Sequence, residues 1–318
     1  MLKLYGEIEK GKKKYSQSIQ ALREMLESEQ TYLAMLFMEL WQQQQEKISL
    51  QQYREIAEQQ NLPSKIEKEI LKTYSIFMLG DLLSKKMVAL EKGAKEVLRK
   101  KPSFSFDIKY SLTQKWLEQN CLKQIKDLTN MQKKSIKEVI KRANYFGMTA
   151  DATAKLLQPI IGLHRGQATA NINYYYNIKQ SFLKNNPSMK EEIAEKKAFE
   201  QSKKYAKKQK QYRAMTIART ELVRAYNAGE YYSIKQAQAE GYLGKVKKFS
   251  VSAGDKRVCK GCTEVEGTLL ELDELFVTEW GRVLFPPFHT SCRCVVEYEE
   301  IEGVNFVGRT NFDEDKQQ

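Results

Sequence analysis

The residues in this chain best placed to do chemistry are Cys259-Lys-Gly-Cys262 and, 26 residues later, His289-Thr-Ser-Cys292-Arg-Cys294. Four of the five cysteines and one of the two histidines fall within these 36 positions. A Cys-x-x-Cys pair puts two thiolates on one tight turn, which Gly261 is expected to let close, and His-x-x-Cys does the same from a second loop. Sulfur and imidazole at such spacing suit tetrahedral Zn2+. Five candidates compete for four places, so the reading is a closed structural site of Cys3His type, with Cys292 and Cys294 as rivals. An open catalytic site would keep a position for water. A disulfide with incidental thiols and a redox Cys-x-x-Cys are the alternatives. The redox motif normally opens a helix after a buried strand, and the glycine-containing turn before Thr263 does not read that way.

The elements that position these ligands come next. Ile217 to Asn227 has a helical pattern, and Thr220, Arg224 and Asn227 fall at i, i+4 and i+7 on one face. With Arg219 and Glu221 beside it, this polar stripe is expected to dock on the Asp255 turn and tie the metal module to the helical body. A catalytic Arg/Glu pair is the competing reading. Asp255 is either a turn former after Gly254 or a partner that orients His289. His164 reads as structural or exposed, Cys121 as a small buried side chain, and Tyr174-Tyr175-Tyr176 as packing residues.

Three segments in this order (the ArgThrGlu stretch Arg219-Thr220-Glu221, Asp255-x-Arg257-x-Cys259-x-x-Cys262, and Pro286-Pro287-x-His289-x-x-Cys292-Arg293-Cys294) resemble the Mu F-like family of phage minor head proteins, also called portal-associated head morphogenesis proteins. The resemblance covers roughly residues 213–298. It departs from the family at Thr290-Ser291, where proline and asparagine are usual, and leaves the ligands intact. It implies a virion protein of the capsid interior near the portal, met in the host cytoplasm during assembly. The implied partners are the portal protein, a major capsid or scaffolding protein and, through basic helices, double-stranded DNA.

Composition sets the frame. Hydrophobic residues make up 42% of 318, enough for a core, and no run of 18 apolar residues suggests a membrane span. The polar start Met1 to Glu7 does not read as a signal peptide, and clustered thiols in a reducing compartment favour metal over disulfide. The net charge of +13 is uneven: from Lys245 onward 10 Lys and Arg face 14 Asp and Glu, a net of −4, so the remaining residues carry +17. A sequence-independent DNA-binding protein is therefore an alternative, with the helices rather than the metal module as the binding surface. A metal-dependent nuclease is a weaker one. Its hard Mg2+ prefers oxygen ligands, and the motif's histidine is already used as a ligand. No enzyme activity is expected.

Periodicity predicts one long helix from about 14 to 60, others from Ser64 to about Lys100 and from about Leu112 to Phe146, and a shorter one ending near Pro159. Another follows from His164 to Phe182, then a long basic helix reaching about Gly241. Strands are expected at Val246–Val251 and Arg293–Tyr298. The fold class is mainly α, long helices forming an extended bundle, with a small C-terminal α+β zinc-stabilised module. The expected divisions are a helical body (1–184), a basic helix and connector (185–244), the metal module (245–300) and a flexible tail (301–318).

Overall fold

The protein's computed structural model describes residues 16–302. Its helices are α1 (Gln17–Lys47), α2 (Leu50–Gln59), α3 (Ser64–Phe77), α4 (Leu83–Lys100), α5 (Ser111–Tyr145), α6 (Ala150–Leu157), α7 (Arg165–Asn185) and α8 (Glu191–Ala239). A π-helical turn, Met78–Leu82, joins α3 to α4. The C-terminal part holds β1 (Lys245–Val251), α9 (Lys260–Glu264), β2 (Leu269–Glu271), β3 (Phe276–Thr278), β4 (Gly281–Val283) and β5 (Val295–Glu302). The chain is thus mostly helical with a small C-terminal antiparallel sheet. No helix among the described residues is long and apolar enough to cross a membrane. The tail expected from 301 onward lies outside the described residues, apart from Ile301 and Glu302 at the end of β5.

The single helix expected from 14 to 60 is two. Ser49 stops and restarts it with a capping box: its hydroxyl accepts the Gln52 N–H at 3.2 Å, and the Gln52 side chain accepts the Ser49 N–H at 2.9 Å. Two otherwise orphaned donors are thereby satisfied. His164 caps α7 in the same way, its Nδ1 accepting the Gly166 N–H at 3.1 Å. Burial and then the Arg213 charge hold this imidazole below its usual pKa, which suits a neutral acceptor.

The chain forms two compact units. One comprises residues 27–86 and 115–219. Its core is aromatic: Phe37 packs on Phe77 with ring centroids 4.8 Å apart, and the buried Trp41 indole donates to the Tyr74 hydroxyl at 3.2 Å. The first part of α8 pairs with α7 through a buried amide, Asn171, which donates to the Ser202 carbonyl at 3.0 Å and accepts the Ser202 hydroxyl at 2.7 Å.

Among the described residues, the other unit comprises 16–26, 87–114 and 220–302. Here α4 crosses the last part of α8 at a pair of glycines. A Cβ at Gly93 would lie 2.0 Å from the Tyr226 carbonyl oxygen, and one at Gly229 2.0 Å from that of Leu90. Only hydrogen at both positions allows this approach. The sheet has order β2-β1-β5, antiparallel throughout, with Lys248 opposite Tyr298 and Val251 opposite Val295. A separate hairpin, β3–β4, turns at Glu279-Trp280.

Candidate metal centre

Strand β1 leads into the Asp255 turn, where the Val258 N–H closes on the Asp255 carbonyl at 3.1 Å. Cys259 follows at the start of α9, and Cys262 lies within it. The expected role of Gly261 was to close this turn. Its φ is not in the left-handed range. What it supplies is space, because a Cβ there would meet Glu279 Oε1 at 2.3 Å and the Trp280 ring at 2.6 Å. The β3–β4 hairpin tip lies directly on the Cys-x-x-Cys turn, and the Trp280 and His289 ring centroids are 4.4 Å apart.

The second loop brings His289 to the thiols. Its Nε2 lies 3.3 Å from Cys259 Sγ and 3.2 Å from Cys262 Sγ, while Cys262 and Cys292 sulfurs are 3.8 Å apart. Cys259, Cys262 and His289 form one group of potential ligands within 4.8 Å, and Cys262, Cys292 and Cys294 another, so Cys262 belongs to both. A tetrahedral zinc with Zn–S of about 2.3 Å and Zn–N of about 2.0 Å separates its sulfurs by about 3.8 Å and sulfur from nitrogen by about 3.5 Å. The observed spacings fit that donor set, so the cluster could hold a metal. The His289 tautomer fits as well. Nδ1 lies 2.8 Å from the Thr290 carbonyl, which can only accept, so Nδ1 carries a proton and Nε2 faces the thiols.

Crowding sets the charges. Hydrogen bonds with Cys292 and Cys294, together with burial, push the Cys262 thiol up. Hydrogen bonds from Cys262 and Cys294 push Cys292 down. The contact with Cys292 raises the His289 imidazole to about 9. A cation binding here therefore displaces protons from both sulfur and nitrogen. Cys292 touches Cys262, Cys294 and His289, whereas Cys294 meets Cys262, Cys292 and the Ala253 backbone.

Two residues of the helical stripe meet the second Cys/His loop. Thr220 Oγ1 accepts the Ser291 N–H at 3.0 Å. Asn227, fully buried, accepts the Val296 N–H at 3.0 Å and donates to the Cys294 carbonyl at 3.3 Å. Both therefore grip the His289–Val296 stretch. Glu221 and Arg224 pair with each other at 3.6 Å, and Arg219 donates to Gln30 at 3.0 Å within the other unit. Asp255 does not meet His289. Arg293 holds it in a fork, with contacts of 2.5 and 2.8 Å, and Arg23 adds a bond to the Ala253 carbonyl at 2.7 Å. The Arg293 hydrogen bonds, reinforced by the Arg257 N–H, keep the Asp255 carboxyl well below the usual range against the opposing effect of burial.

Arg293, Arg23 and Trp280 were missed as site residues by sequence reasoning. Only Arg293, set between two cysteines, carried a local signal. Ser291 between the ligands takes φ +63°, a left-handed conformation that asparagine and glycine adopt more readily.

No curated protein and no solved structure matches the chain significantly. The family model of phage Mu protein F like proteins does, over residues 118–297, reaching from within α5 through α6, α7 and α8 to the Cys/His cluster and into β5. With more than half of its length inside that match, the chain belongs to the phage Mu protein F like family.

Proposed function

We propose that this chain is a phage head morphogenesis protein: a minor head component that sits at the portal on the capsid interior and assists assembly and DNA packaging or delivery. The observation that supports it best is a single family match spanning both the helical body and the Cys/His loops. In this reading a structural Zn2+ is held by Cys259, Cys262, His289 and Cys292. Cys294 is the reserve ligand, because it approaches fewer of the other four. Residues 245–300 are the part whose folding depends on the metal. Zinc supplies about 10 kcal/mol in small zinc-folded peptides, enough to hold a module with so little sheet. Thr220 and Asn227 then fix the module to α8, and Asp255 with Arg293 holds the second ligand loop. Four donors around one ion leave no open position for substrate, so the reading is structural rather than enzymatic.

Co-expression with a portal protein from a phage carrying a close homologue tests this. A stable complex with about one zinc per chain, the stoichiometry of a single four-ligand site, is the expected result. Zinc without portal binding moves the function to another capsid partner or to DNA. A chain that purifies folded with neither zinc nor portal refutes both parts.

A further inference from the structure

One groove is lined by a row of lysines. It lies in the unit formed by residues 27–86 and 115–219, has a volume of about 540 Å³, and runs between α1 and α8. Lys203, Lys204, Lys207 and Lys210 of α8 line it. Lys203, Lys207 and Lys210 share one helix face at i, i+4 and i+7. Lys203, Lys204 and Lys207 are exposed, and solvated surface lysines by themselves signify little. Lys210 is different. It is only 9% exposed, and among the described residues neither a hydrogen bond nor an ion pair engages it. Burial, with the like charge of Lys207 adding to it, lowers its pKa to about 8. Burying most of a lysine with no ion-pair partner is unfavourable. Its ammonium is not among the side-chain atoms shut off from solvent, so a largely buried cation presents its charge to the groove.

The groove also says which anion. Glu39, Glu46 and Glu200 share its lining, and a nucleic-acid backbone, charged at every step, would run against all three. A chain with carboxylates at some positions and neutral amides between them would not. Phe199 and Met38 offer apolar contact, and the side-chain amides of Gln42 and Gln45 can engage a peptide backbone. Lys203 and Lys207 are about 6 Å apart along the helix axis, close to the separation of alternate side chains in an extended peptide.

We propose that this groove binds an acidic, extended peptide segment of a partner protein, with alternate carboxylates seated on Lys203 and Lys207 and a further one reaching Lys210. The proposal rests on the groove alone and stands or falls independently of the metal and of the head morphogenesis reading.

The test uses the full chain and fluorescence anisotropy with three probes at low salt: a labelled ten-residue peptide of alternating glutamate and serine, a thymidine oligonucleotide of matched charge, and inorganic phosphate as competitor. The peptide is expected to bind. Lys210→Met should weaken it by at least about tenfold, as expected for loss of one buried charge pair. Lys207→Gln, at an exposed position where folding is not at risk, should weaken it several-fold. Because Lys210→Met removes an unpaired buried charge, its thermal midpoint should equal or exceed that of the parent, which separates lost binding from lost folding. Oligonucleotide binding that exceeds peptide binding and depends on the same lysines would overturn the peptide assignment in favour of nucleic acid. Absence of peptide binding, or peptide binding indifferent to both substitutions, would overturn the site.

Discussion

Asn227 is one of two α8 side chains, with Thr220, that hold the second Cys/His loop, and replacing it with alanine measures its share of that hold. The residue is fully buried. It satisfies the Val296 N–H at 3.0 Å and the Cys294 carbonyl at 3.3 Å, both buried. Its third bond, to the Val223 carbonyl at 2.9 Å, falls on a group already inside the α8 hydrogen-bond ladder and adds little. Alanine leaves one donor and one acceptor without partners in a closed site. At about 1–3 kcal/mol for each unsatisfied group, and with the carbonyl the milder case, the loss should be about 2–4 kcal/mol. Asn227→Asp keeps the acceptor for Val296 but gives up the donor and buries a carboxylate, so it should be at least as damaging. Native-state hydrogen exchange at the Val296 amide reports on this contact directly, and urea unfolding followed by circular dichroism gives the total. Unchanged protection at Val296 in Asn227→Ala, with a loss below about 0.5 kcal/mol, would refute the argument, since that is the range of ordinary surface changes.

Two further substitutions bear on the cluster. Cys262→Ser, at the residue common to both ligand groups, should abolish metal retention and expose residues 245–300 to protease while the helices survive by circular dichroism. Cys294→Ser should retain metal, and equal damage in a zinc-release assay would reverse the choice between Cys292 and Cys294. Ser291→Asn places a residue more tolerant of positive φ between the ligands and leaves the backbone N–H bonded to Thr220. It should stabilise the module by about 0.5–1 kcal/mol, part of the left-handed cost it relieves, and a fall in the thermal midpoint would show that the serine hydroxyl has a role of its own.

Local signals in the chain carried the elements well where they were strong. The helices from Ser64, from Leu112 and from His164 onward, and the strands around Val246 and Val295, occur close to where periodicity placed them. The break at Ser49 was overlooked because the apolar spacing continues past it, while the signal lay in the Ser49/Gln52 pair rather than in hydrophobicity. That the Cys259–Cys262 and His289–Cys294 segments would come together was legible from residue type and spacing. Their positioning was less so: Thr220 and Asn227 could be placed on one helix face, but not matched to Ser291, Cys294 and Val296 some 70 positions on.

By itself the sequence determined that the chain is mainly helical, where the Cys/His loops lie, and which family motif they belong to. Those properties depend on residue type at short spacing. Tertiary structure decided that Arg293 rather than His289 takes Asp255, that the Trp280 hairpin tip covers the Cys259–Cys262 turn, and that Gly93 and Gly229 let two helices touch. It also decided that one lysine in a long basic run, Lys210, is largely buried with no ion-pair partner among the described residues, while Lys203, Lys204 and Lys207 face solvent. Each of these is a matter of which distant surfaces meet. A charge, an aromatic ring or a missing Cβ acquires its role only from the group placed opposite, and no spacing along the chain specifies that group.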